Sequence, residues 1–324
     1  MALSYSRGAL GGEVDRLQSR LSALGYYTGS IDAEFGAGTE AAVRAFQGQA
    51  GIEPTGVVDA ETWAGLFPGE TIPAPALLSA PLARRCLALT GTFETSSASP
   101  RCFSCVAGDF DGQGLSFGAL QWNFGRGTLQ PLLRAMDDRH TDILRGILKD
   151  KHAELMAVLD RPRSEQLAWA RSIQSQRHAI VEPWRDLFMA LGADKTFQDI
   201  QLESAETYHR RAVDLWRQYA LASRRALALM FDIAVQNGSI AKVVRDRIIR
   251  DFEQVPDDGD EAEVARMRII ANRRAEAADP RWVEDVRARK LLIANGQGTF
   301  RKRQFDLAQQ FGLDLVHVGE EEVR

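Results

Sequence analysis

The sequence predicts a mostly α protein in two parts: a three-helix N-terminal domain, then a larger α-rich domain with one small β-hairpin region. Three observations predict it. Apolar residues recur at helical spacing along most of the 324 residues. Four prolines between residues 68 and 81 interrupt that spacing, and proline disfavours helix and stiffens the chain. Charge divides at the same place: residues 1–70 hold four arginines, no lysine and nine acidic residues, against 36 basic and 35 acidic residues in the remainder. The expected boundaries are therefore 1–67, a proline-rich linker at 68–81, and 82–324.

Each element follows in order. Val14, Leu17, Leu21 and Leu24 set the first helix, and Gly25 caps it. A second helix runs from about Thr39, with Ala42, Val43 and Phe46 on one face. Gly29-Ser30-Ile31-Asp32 and Gly56-Val57-Val58-Asp59 are two copies of one turn, a weak internal repeat. Thr62, Trp63 and Leu66 close a third short helix. Beyond the linker, Leu82, Cys86, Leu89 and Phe93 form an apolar stripe that ends at Glu94. A glycine-rich stretch, 108–127, then breaks the helices and carries the hairpin. Helical patterns follow around 129–149, 164–192, 203–221, 224–237, 258–277, 280–294 and 301–311. Thr128 is the expected N-cap of the first of these, and Asn237-Gly238 stops the stripe of Leu227, Met230, Phe231, Ala234 and Val235.

In the first part, Leu17, Leu21, Leu24-Gly25-Tyr26-Tyr27, Ile31-Asp32, Phe35-Gly36, Thr39, Ala42-Val43, Phe46-Gln47, Gly51-Ile52, Gly56-Val57-Val58-Asp59 and Thr62-Trp63 make a dense pattern. It resembles the peptidoglycan-binding domain of bacterial and phage wall hydrolases. The resemblance implies bacterial peptidoglycan as the partner. A binding module on a semi-rigid tether raises an enzyme's effective concentration at a polymer.

Several classes are disfavoured. A net charge of −4 argues against nucleic acid as a partner. No run of about 18 apolar residues exists, so no membrane insertion is expected. The first residues lack a basic stretch followed by an apolar one, so no signal peptide is expected. Such a wall enzyme, made in the cytoplasm, would reach the wall through a holin or a secretion system. Five scattered histidines offer no zinc-ligand spacing; no metal and no cofactor are expected. Three cysteines, with Cys102-Phe103-Ser104-Cys105 as a lone C-x-x-C, read as free or incidentally paired thiols. A monomer is expected.

Glycoside hydrolysis needs two carboxyl groups across the scissile bond, one protonated and one ionised. Glu94, beside Phe93 at the end of an apolar helix, suits the acid, because apolar surroundings favour the protonated form. Asp111, flanked by Gly112, suits the base, with Asp109 as its rival, and Ser116 suits a residue that holds the attacking water. Gln121, Trp122 and Asn123 are candidates for sugar contacts, an indole face between two amides; Trp122 reads equally well as core.

Glu94 followed by Asp111-Gly112-Gln113-Gly114-Leu115-Ser116-Phe117-Gly118 resembles the active-site segment of the lysozyme superfamily, most closely the family-46 chitosanases. The resemblance implies Glu94 as catalytic acid and Asp111 as catalytic base, with Ser116 where that family has threonine. Phe231–Gly238 resembles a second segment of the family. There the resemblance implies that Asp232 joins a structural ion network, with Arg273 or Arg287 as partner, and Gln236 and Asn237 are added as candidate substrate contacts. Gly118–Asn123 is closer to the Gly-x-x-Gln segment of goose-type lysozymes and transglycosylases, so the substrate class stays open. The expected function is a bacteriolytic, endolysin-like peptidoglycan hydrolase, a muramidase or other glycosidase that cleaves the glycan strands of the wall. The alternatives are a chitosanase-type glycosidase and a non-catalytic wall-binding protein.

Overall fold

In the computed structural model, which describes residues 3–255 and 259–323, the first three helices are α1 (Gly12–Ala23), α2 (Ala37–Ala50) and α3 (Ala60–Leu66). Val14, Leu17 and Leu21 of α1, Val43 and Phe46 of α2, and Trp63 and Leu66 of α3 close one core with Tyr5, Phe35 and Val58. Leu24, expected on the α1 stripe, is the C-cap residue and is exposed.

Two buried glutamines give the internal repeat its physical basis. Gln18 Oε1 accepts from the amides of Asp32 and Ala33, both at 3.0 Å, and its Nε2 donates to Asp32 Oδ1 at 2.8 Å and to Thr39 Oγ1 at 3.0 Å. Gln47 Oε1 accepts from Gly56 N at 2.9 Å, and its Nε2 donates to Val57 O at 2.9 Å and Thr62 Oγ1 at 3.0 Å. In each copy one fully satisfied amide pins a turn to the start of the next helix, and burial without those partners is costly.

Residues 68–81 carry several bonds to the N-terminal residues. Glu70 pairs with Arg16 at 2.6 Å, Pro73 O accepts from Tyr5 Oη at 2.6 Å, and Ala76 N donates to Glu13 Oε1 at 3.0 Å. A 3-10 turn, Ala76–Ser79, leads into α4 (Leu82–Thr95).

The chain divides into two compact units. One joins everything up to Leu89 with everything from Glu206 onward; the other is Thr90–Ala205. In the first unit the later elements are α10 (Arg224–Asn237), α11 (Lys242–Phe252), α12 (Asp260–Glu276), α13 (Val283–Asn295), a hairpin of β4 (Gln297–Phe300) and β5 (Arg303–Asp306), and α14 (Leu307–Phe311). Helix α10 is buried from Ala226 to Ala234.

The second unit holds β1 (Val106–Ala107), β2 (Ser116–Phe117) and β3 (Trp122–Asn123), then α5 (Gln130–Leu148), α6 (His152–Leu159), α7 (Arg163–Ser172) and α8 (Trp184–Ala193). The strands form one antiparallel sheet in the order β1-β2-β3, with Ala107 opposite Ser116 and Ser116 opposite Asn123. Aromatic rings fill its core: Phe117 stacks on Phe197 at 5.6 Å and meets Phe188 at 5.2 Å, and Trp169 lies edge-on to Trp184 at 4.9 Å. Helix α9 (Lys195–Gln218), like α4, runs across the division between the units.

Several expectations are corrected. The pattern over 164–192 is two helices, α7 and α8: after Ser172 the chain turns back on itself, with Gln174 bridged to Ile180 and His178 at a positive φ, and Pro183 stands at the N-cap of α8. Residues 301–306, expected as helix, are the turn and second strand of the β4–β5 hairpin. Helices α6 and α11 had no counterpart in the expected pattern. Thr128 is not an N-cap; its hydroxyl accepts from Asn123 N at 2.9 Å, and Leu129 stands at the cap position. Among the described residues no helix is long and apolar enough to cross a membrane.

Candidate active site

Helix α4 delivers Glu94. One turn earlier on nearly the same face is Gly91, where a Cβ would lie 3.0 Å from Ala119 Cβ and 3.2 Å from Cys102 Sγ. Residues three apart share a helix face, so the face that carries Glu94 is the one packed on the β2–β3 turn. Phe93 beside it is buried and Glu94 is half-buried. The β2–β3 turn is held by Gln201 of α9, which is fully buried. Its Oε1 accepts from Ala119 N at 2.9 Å and its Nε2 donates to Phe103 O at 3.0 Å.

The loop between β1 and β2 is organised around Asp109. Its Oδ1 accepts from Gly114 N at 2.8 Å, its Oδ2 pairs with Arg171 at 2.6 Å, and its amide donates to Gln174 Oε1 at 2.8 Å. Arg171 also donates to Gly112 O at 3.2 Å. Burial opposes ionisation of Asp109, but the bonds from Gly114 and Arg171 outweigh it and lower the carboxyl below its ordinary range. Asp111, at the loop tip, is exposed and, among the described residues, accepts a single 3.2 Å turn bond from Gln113 N. The two rival carboxylates thus differ in kind: Asp109 is spent on the loop, whereas Asp111 faces solvent.

The other expected residues separate in the same way. Ser116 is half-buried on β2. Gln121, half-buried at a positive φ in the β2–β3 turn, donates to Gly118 O at 2.9 Å. Trp122 is 5% exposed and faces the core, which corrects its place among the sugar contacts. Asn123 is 7% exposed, and its Oδ1 accepts from Arg126 N at 2.8 Å, so its amide supports the following turn. No disulfide joins Cys102 to Cys105, and burial pushes the Cys105 thiol up. Among the described residues no group of three or more His, Cys, Asp or Glu is arranged to hold a metal ion.

Asp232, Gln236, Asn237 and Arg273 belong to the other unit. Asp232 is fully buried and bound by Arg289 at 2.5 and 2.9 Å and by Lys290 at 2.9 Å. Burial opposes its charge, yet the two cations hold its carboxyl down to about 2. Gln236 accepts from Lys290 at 2.8 Å. Arg273 is instead paired with Asp251 at 2.6 Å and Glu276 at 2.8 Å, and Arg287 with Glu284 at 2.5 Å. The expected partner of Asp232 is therefore corrected to Arg289 and Lys290.

Sequence reasoning missed Arg171, Gln174, Gln201, Arg289 and Lys290. A signal existed for two of them. Gln201 lies at helical spacing between Phe197 and Ala205, both buried, and Lys290 shares a face with Val286, Ile293 and Ala294. A polar residue on an apolar stripe marks a buried, partnered group.

Residues 11–66 match the family model described as "Putative peptidoglycan binding domain". The spore cortex-lytic enzyme of Bacillus subtilis (strain 168) is 53% identical over 57 residues, which is 17% of this chain and 19% of that protein. The spore cortex-lytic enzyme of Oceanobacillus iheyensis is 46% identical over 56 residues, 17% of this chain and 20% of that protein. The chain thus spans about a fifth of the length of the curated relatives it matches. Among solved structures, the native chitosanase from Bacillus subtilis MY002 gives a TM-score of 0.43 at 16% identity, covering 66% of this chain and 86% of that one. A Gynuella sunshinyii GH46 chitosanase in complex with chitotetraose gives 0.42 at 14% identity, with the same coverage.

Proposed function

We propose that the chain is a peptidoglycan hydrolase, in which residues 1–67 hold the wall polymer, residues 68–81 link, and residues 82–324 are an endo-acting, endolysin-like glycosidase. The observation that carries it is a wall-binding match at 11–66 on a chain whose other unit sets two carboxylates in contrasting surroundings. Asp111 stands exposed on a fixed loop, and Glu94 stands half-buried beside Phe93 on the helix face that meets the β2–β3 turn. In this reading Glu94 protonates the leaving oxygen. Asp111 activates a water held by Ser116, and Gln121, whose Nε2 is bonded to Gly118 O, offers its Oε1 to a sugar hydroxyl. A water between the two carboxylates attacks from the far face and inverts the anomeric centre.

The test is Glu94→Gln on purified sacculi. Release of reducing ends falls by at least about 100-fold, while the protein still sediments with the sacculi. Persistent lysis by that variant removes Glu94 from the mechanism. The Asp111–Gly118 segment favours one second reading, a chitosanase-type glycosidase. Faster turnover of chitosan than of sacculi selects it. A wild-type chain that binds sacculi without clearing their turbidity is a non-catalytic wall-binding protein.

A further inference from the structure

Phe110 stands out among the large apolar side chains of the described residues: it is 74% exposed. It immediately precedes Asp111, at the tip of a loop that is not loose. Asp109 anchors the loop through Gly114, Arg171 and Gln174, and Gly125 N donates to Gln113 O at 2.8 Å. A second loop locks against it. Gln174 and Ile180 form a β-bridge, and His178 between them holds a positive φ of 58°. The carbonyl of His178 comes so near Gly108 that a Cβ there would lie 1.8 Å from it. Only glycine permits that approach. It leaves the Phe110 and His178 rings 5.7 Å apart at 61°.

A wholly apolar ring held in water by a braced loop, one residue from an exposed carboxylate, is a surface made for an amphipathic partner. Pyranose rings are such partners: their C–H faces pack on an aromatic face while their hydroxyls stay solvated. We propose that Phe110, steadied by His178, is a stacking subsite for one ring of a β-1,4-linked N-acetylhexosamine strand. This rests on the reading of Glu94 and Asp111 as acid and base, and it identifies the subsite nearest Asp111. Phe110 is a binding residue and takes no part in proton transfer. Its contact is made alike in ground and transition states, so its loss raises KM more than it lowers kcat.

The experiment uses the full chain and soluble, un-cross-linked glycan strands prepared from sacculi. Phe110→Ala raises KM about tenfold, the size of one aromatic contact, and changes kcat less than about threefold; Phe110→Trp restores KM. In the Glu94→Gln background, the same strands shift the ring resonances of His178 in NMR titrations, and adding Phe110→Ala abolishes that shift. An unchanged KM in Phe110→Ala, or His178 resonances that stay put at saturating strand, overturns the subsite. The two readings fail separately. If the wild-type chain releases no reducing ends, the hydrolase reading falls, and the His178 titration alone decides whether the platform binds glycan.

Discussion

Asp109 and Asp111 sit two residues apart on one loop and do opposite things. The carboxylate of Asp109 is almost enclosed and carries a charge-assisted bond to Arg171 and a backbone bond from Gly114. Its pKa is lowered in the folded chain, so its contribution to stability is present above the unfolded carboxylate value of about 4 and is lost as pH falls through the folded value. Asp109→Asn is expected to cost about 1–2 kcal/mol at pH 7, a deficit that shrinks on acidification, as denaturant titrations at several pH values will read. Asp111→Asn is expected to move stability by less than about 0.5 kcal/mol and to cut turnover by about 10²–10⁴-fold. The reverse pattern would exchange the two roles. Nothing in the local sequence separates these aspartates, since both lie in the same glycine-rich turn. The difference is made by Arg171, 62 residues away.

Elements were legible where their pattern is local and one-sided. Helix α10 begins one residue after Ser223, whose hydroxyl accepts from Ala226 N, and ends before Gly238 at a positive φ. The β4–β5 hairpin was not legible, for a definable reason. Its two-residue turn is Arg301-Lys302, both at positive φ, 47° and 69°. A turn of that hand is ordinarily announced by Asn-Gly, because only such residues adopt it without strain. Here the hairpin is imposed by packing, with Phe300 and Phe305 buried. Lys302→Gly should therefore stabilise the chain by about 0.5–1 kcal/mol, seen as a higher melting temperature. A lower one would mean that the turn does not hold this left-handed form in solution.

At the scale of the whole molecule, the N-terminal part owns its core: all members of the cluster, from Tyr5 to Phe67, lie within it, and Ile72 packs against them. A fragment ending at Pro81 should fold cooperatively and sediment with sacculi. It should be less stable than the full chain, as domains of this size are marginal and it forfeits the bond from Gln310 to Gly8 O at 2.6 Å and the pairing of Glu34 with Arg303 at 2.8 Å. A fragment that melts without a transition would show that contacts with the C-terminal residues, these two among them, are required for folding. The sequence by itself determined the three-helix module, its repeated turns, the α10 stripe and the two carboxylates worth testing, because apolar spacing, glycines and prolines act within a few residues. Only the tertiary structure decided that Asp109 is enclosed while Asp111 is exposed, that Asp232 answers to Arg289 and Lys290, and that Phe110 is held in water. Each of those depends on a partner delivered from elsewhere in the chain, 57 positions away for Asp232 and Arg289, and local periodicity carries no record of such distances.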